Sequence, residues 1–209
     1  MIFSIVATHY EPTMTEDEYY RFLDSIEGSE SKDVAIELIV MHDGPTTWDY
    51  KALHTPYTFP ITLISTKTRH GHWGHPLRSE GMKKSVGHYI LNTNTDNEYE
   101  QGLFAKLNSI VKIAEPNILV GTVEMIGLDT TGTTLFYDTP RDLSKSIVLK
   151  GLPLVLGNVD MMQACIKRSV WEAYGWWKDH REQSDGMMFE EMGKQYVYDN
   201  IDLSFGKHY

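Results

Sequence analysis

The feature that most constrains this chain is a short apolar run at its very start, Phe3-Ser4-Ile5-Val6-Ala7-Thr8. An amphipathic segment follows it, and then a second apolar run from Val34 to Met41. Runs this short and this apolar suit strands covered on both faces. Between them Thr15 and Glu18 form a capping box, Tyr19, Phe22, Leu23 and Ile26 recur at helical spacing, and Gly28 marks the stop. Strand, helix, strand is the unit of a parallel sheet, because a parallel return needs a crossover.

The pattern repeats. Ile61 to Ser65 reads as a third strand, Pro76 and Gly87 bracket a helix, and His88 to Asn94 reads as a fourth strand. The clearest helix carries Leu103, Phe104, Leu107, Ile110, Val111 and Ala114 on one stripe. Strand-like runs follow at Ile118–Ile126 and Ile147–Val155, then two helices over 161–173 and 186–198 with a Trp-rich loop between them. The expected fold class is α/β, with a mostly parallel central sheet and helices on both faces. At 209 residues and 41% hydrophobic composition, one core and a single domain over 1–209 are expected.

Charge and cysteine content exclude several function classes. Nineteen Lys and Arg against 29 Asp and Glu give a net charge of -10. Nucleic-acid binders draw their affinity from a basic excess, so no nucleic-acid partner is expected. Cys165 is the only cysteine, which rules out an internal disulfide and a Cys-rich zinc site. The start has no basic region before its apolar run, and no stretch approaches the length of a membrane span, so a cytoplasmic protein is expected.

In open α/β sheets ligands sit beyond the carboxyl ends of the strands. Those ends read Thr8-His9-Tyr10-Glu11, His42-Asp43-Gly44 and Thr95-Asp96-Asn97. Neither a G-x-G-x-x-G turn after the first strand nor a G-x-x-x-x-G-K-[ST] loop is present, which removes the usual support for dinucleotide oxidoreductases and P-loop NTPases. Another way to hold a nucleotide diphosphate is a strand-end acid that binds a divalent cation bridging the phosphates, and Asp96 suits that role. The loop His70-Gly71-His72-Trp73-Gly74-His75 matches no common zinc spacing and reads as a flexible cover for the pocket.

The order of these motifs resembles the family-2 glycosyltransferases, which have the GT-A fold. THYE at 8–11, HDGP at 42–45 and the stretch 69–99, with G-H-Y-I followed by T-D-N, carry the resemblance. It covers the first half well and the second half loosely, so that 1–98 would form the nucleotide-binding half and 99–209 the acceptor-binding half. It implies transfer of a sugar from a UDP-sugar donor to a hydroxyl acceptor, a carbohydrate or another alcohol, with Mn²⁺ or Mg²⁺ and inversion. Thr8, His9, Tyr10 and Glu11 would line the nucleotide pocket, and Asp43 would accept from uracil N3–H. Arg78 would face the phosphates or ribose, and Asp96 would bind the metal. Where the family has the first acid of D-x-D, this chain has Asn94 or Thr95, either of which would hydrogen-bond a ribose hydroxyl; Glu98 is a substitute metal ligand.

For the second half the resemblance implies a catalytic base at Asp185, with Glu190 and Glu191 as alternatives. Trp176 and Trp177 offer flat faces to a sugar ring. His208, near the C-terminus, would be a second metal ligand, with His180 as its alternative. Nucleotidyl transfer and donor binding without turnover are the competing readings; the acidic stretch 9–20 argues against the first.

Overall fold

The computed structural model describes residues 1–27, 33–128, 142–178, 181 and 184–209. In chain order the elements are β1 (Ile2–His9), α1 (Glu16–Glu27), β2 (Ala35–His42), α2 (Tyr50–His54), β3 (Ile61–Ser65), α3 (His75–Lys84), β4 (Tyr89–Asn94), β5 (Glu98–Tyr99) and α4 (Leu103–Ala114). Then come β6 (Ile118–Ile126), β7 (Ser146–Leu149), β8 (Ala164–Lys167), α5 (Arg168–Tyr174), α6 (Ser184–Gln195) and β9 (Tyr198–His208). The capping box forms as expected: Thr15 N–H donates to Glu18 Oε2 at 2.8 Å, and Glu18 N–H to Thr15 Oγ1 at 3.2 Å. Gly28, the expected stop, lies outside the described residues.

The sheet order is β3-β2-β1-β4-β8-β6-β9-β5, with β7 paired to β6. β3, β2, β1 and β4 run parallel, which aligns their carboxyl ends in one row. In that row His42 is opposite Ser65 and His9, and Thr8 is opposite Asn94. β8 runs antiparallel to both β4 and β6, and β9 runs parallel to β6. The turn before β8 and the end of β9 therefore return to the same edge at which β4 ends.

Side chains alternate between the sheet's two faces, as the two-residue period of a strand requires. Phe3, Ile5 and Ala7 join Leu38, Val40 and Leu91 in one core against α1, α2 and α4. Val6, Ile39, Met41 and Ile90 join a second core against α3, α5 and α6. Helices thus cover both faces. Each fully buried Leu or Phe in these cores contributes roughly 1.5–3 kcal/mol.

Three expected elements differ. The helix expected over 161–173 is a single 3₁₀ turn at Met161–Gln163, then β8, then α5. Asp160 and Gln163 do make a capping box, but the next four residues are drawn into ladders with β4 and β6. The helix expected over 186–198 is α6, Ser184–Gln195, and Tyr198 instead opens β9. The strand expected to reach Val155 ends at Leu149.

Candidate active site

At the ends of β1 and β2 lies a cavity of about 390 Å³, lined by Tyr10, Glu11, Asp43, Thr47, Trp48 and Arg69 among others. Its two carboxylates are already held by protein donors. Glu11 accepts from Thr47 N–H, Thr47 Oγ1, Trp48 N–H and the Tyr50 hydroxyl. Burial pushes the Glu11 pKa up, yet these hydrogen bonds outweigh it, and the carboxyl sits below its ordinary range. Asp43 takes His70 N–H on Oδ1 at 2.6 Å and Gly71 N–H on Oδ2 at 2.8 Å. It fastens the loop after β3 to the end of β2, while the outer lone pairs of its oxygens still leave room for another donor.

His9 is turned into the interior rather than the cavity. Its Nδ1 lies 2.6 Å from Thr95 Oγ1, and its ring is packed among Tyr19, His42, Trp48 and Tyr50. Burial, and next the nearby His42, hold its pKa down to about 3, so the ring is neutral at physiological pH. Thr95 is fully buried as well, with its hydroxyl turned to the His9 ring.

The carboxyl ends of β1 and β4 are joined by Arg78. Its side chain is 0% exposed and donates to Thr93 O at 2.8 Å, to Asn94 Oδ1 at 2.7 Å and to Trp73 O at 3.3 Å. Asn94 Oδ1 also accepts from Thr8 Oγ1 at 2.7 Å. Burial lowers the Arg78 pKa to about 10, and Asp185, Asp160 and Asp96 oppose the fall, so it stays a cation. Arg78 was expected to face phosphates or ribose. Here it is instead a buried pin that shapes the β4 end and carries a positive charge beneath the acids.

Those acids converge because of the topology. Asp160 precedes β8, Asp185 lies in the first turn of α6, and His208 ends β9. His208 Nδ1 is 3.0 Å from Asp160 Oδ2, while Asp160 Oδ1 accepts from Met162 N–H at 2.8 Å. Burial would raise the Asp160 pKa, but His208 and the Met162 N–H hold it low. Asp185 goes the other way. Burial, and then the negative charge of Asp160, raise its pKa to about 6, against the Gly186 N–H, Arg78 and His208. A carboxylate poised near neutrality suits a general base. Asp160 was not singled out in the sequence; its spacing to Gln163 signals only a helix cap, and the antiparallel course of β8 is what brings it to this edge.

The alternatives lie elsewhere. Glu190 pairs with Lys194 at 2.8 Å, and Glu191 accepts from the Tyr174 hydroxyl at 2.6 Å. Both line a second cavity of about 390 Å³ between α5 and α6. Glu98 faces Arg21 and the Tyr209 hydroxyl. Trp177 is not a sugar platform: it is 3% exposed, stacks on His75 and Trp171, and donates to Ser184 Oγ. Trp176 is half-buried at a positive φ of 67°. His180 lies outside the described residues.

A divalent cation is not matched by the side chains as they stand. Among the described residues no three His, Cys, Asp or Glu side chains are gathered so as to hold one. His208 turns Nδ1 to Asp160, whose carboxylate is already engaged. Among the described residues no helix is long and apolar enough to cross a membrane.

The architecture matches S. aureus TarS across essentially the whole of this chain. TarS 1–349 aligns at a TM-score of 0.69 and 13% identity, covering 99% of this chain and 60% of that one. The same region of TarS in complex with UDP aligns at 0.70 and 12% identity, and in complex with UDP-GlcNAc at 0.70 and 14%. This is a glycosyltransferase fold. The chain spans about 60% of the length of these TarS 1–349 structures. No protein-family model and no curated protein matches the sequence. The likeness thus rests on the α/β framework, with its curled, mostly parallel central sheet.

Proposed function

We propose that the chain is a nucleotide-sugar glycosyltransferase that uses a UDP-type donor and a hydroxyl acceptor. The observation that carries this reading is the pairing of a donor-sized cavity at the β1 and β2 ends with a half-buried, near-neutral carboxyl, Asp185, farther along the same sheet edge. Solved structures of this fold hold UDP and UDP-GlcNAc.

In the proposed reaction Asp185 accepts the acceptor's hydroxyl proton, and the oxygen attacks the anomeric carbon from the face opposite the departing nucleotide. The bond between that carbon and the diphosphate breaks, and UDP leaves with its electron pair. Inversion follows from a single displacement. Arg78 holds Asn94 and the β4 end in shape and offsets the charge of the three nearby acids. Dependence on Mn²⁺ or Mg²⁺, expected from the resemblance, stays part of the proposal as a property to measure, and no step above runs through a cation.

A thermal-shift screen tests the reading, because a ligand that binds only the native state raises the melting temperature. UDP and UDP-sugars are expected to give the largest shifts. Larger shifts from purine nucleotides would overturn the donor assignment.

A further inference from the structure

If the donor lies as proposed, its two phosphates need a cation, and the side chain expected to face them is turned away: Arg78 is wholly buried, and its terminal nitrogens donate to Thr93, Asn94 and Trp73. The cavity lining offers another. Arg69 follows β3, is exposed, and has its guanidinium 4.1 Å from the centre of the Tyr10 ring. Among the described residues its N–H groups are committed to no acceptor.

Arg69 is also held in place from both sides. Gly44 N–H donates to Thr66 Oγ1 at 2.8 Å, and Thr66 Oγ1 donates to Thr68 O at 2.8 Å. Beyond Arg69, the His70 and Gly71 N–H groups are fastened to Asp43. This doubly tied loop crosses from the β3 side over β2 to the end of β1, where Tyr10 stands. With sheet order β3-β2-β1-β4, that part of the cavity lies between Asp43 at the β2 end and the acids beyond β4. A donor whose base sits at Asp43 and whose sugar reaches Asp185 carries its diphosphate across this point.

We propose that Arg69, braced on the Tyr10 ring, is the cation that binds the diphosphate of the nucleotide donor. This inference rests on the glycosyltransferase reading and adds a phosphate-binding residue to it. A guanidinium presents a rigid fork of N–H donors that matches phosphate oxygens two at a time, and the flat face left on Tyr10 fixes the fork's plane. The neighbouring carboxylates do not compete strongly, since Glu11 and Asp43 already accept from protein donors.

The test is calorimetric titration of the full chain with uridine, UMP and UDP, without added metal and then with Mn²⁺, in wild type, Arg69→Gln and Arg69→Lys. Wild type is expected to bind UDP more tightly than uridine. Arg69→Gln should weaken UDP by roughly 10–100-fold while leaving uridine within about 2-fold, and Arg69→Lys should recover part of the loss. Equal weakening of uridine and UDP would assign Arg69 to the base and overturn the proposal, as would unchanged UDP affinity. A wild type that binds no uridine nucleotide would bring down the donor reading itself, a result distinct from failure at Arg69. Because Arg69 is exposed, an unchanged melting temperature in the variants shows that the fold is intact.

Discussion

His208 Nδ1 stands 3.0 Å from Asp160 Oδ2, so the end of the last strand is tied to the turn that opens β8. The contact keeps a negative charge on a buried carboxyl beside Asp185. Asp160→Asn keeps an acceptor for Met162 N–H but loses that charge. The Asp185 pKa should then fall from about 6 towards the usual carboxylate range, with Arg78, His208 and the Gly186 N–H now opposed by burial alone. The acid limb of the rate–pH profile is expected to move to lower pH. An unmoved limb would show that Asp160 does not set the charge state of the base.

Asp185 should also cost the protein stability. Its pKa is raised from 3.8 to about 6 in the folded state, so between those values the native state binds more protons than the unfolded state. Stability contributed by the neutral carboxyl is therefore present at low pH and lost as pH rises through that window. Asp185→Asn removes the penalty. Urea unfolding should show the variant more stable than wild type by about 1–3 kcal/mol near pH ~7.5, with the difference gone near pH ~4.

Arg78→Met should be among the most damaging substitutions. It leaves Thr93 O and Asn94 Oδ1 short of a donor and removes the cation from among Asp96, Asp160 and Asp185. Losing one partner of such a buried charge network costs about 3–5 kcal/mol, measurable by urea unfolding. A loss below about 1 kcal/mol would mean that solvent replaces those contacts.

Much of the fold was legible because β1 and β2 are covered on both faces and so read as apolar runs, while α1 and α4 carry unbroken helical stripes. β8 was not legible. Asp160 and Gln163 announce a helix by their capping box, and only the gap between β4 and β6 turns Ala164–Lys167 into a strand. The same gap explains the candidate site. Asp185 and His208 were named only through the resemblance, whereas Asp160 needs the sheet order to stand beside them. Arg78 was legible as a residue but not in its burial, since a sequence does not say which way a long cation on a helix turns.

Metal dependence separates the roles of two further residues. Mn²⁺ alone should leave the melting temperature unchanged, and Mn²⁺ with UDP should raise it beyond UDP alone, because donor phosphates would supply the missing ligands. Asp96→Ala should abolish that extra shift and His208→Ala should reduce it, each keeping the shift from UDP alone. His208→Ala should also favour Mg²⁺ over Mn²⁺, as imidazole suits the softer ion. Retention of the full extra shift in both variants would put the cation elsewhere.

The most direct measurement is UDP release from UDP-sugars by wild type and Asp185→Asn at matched nucleotide occupancy. The proposed mechanism predicts that wild type turns over a UDP-sugar, and that the variant binds UDP as wild type does but releases it roughly 10²–10⁴-fold more slowly. Equal turnover by the variant, or no binding of UDP by either protein, would contradict it.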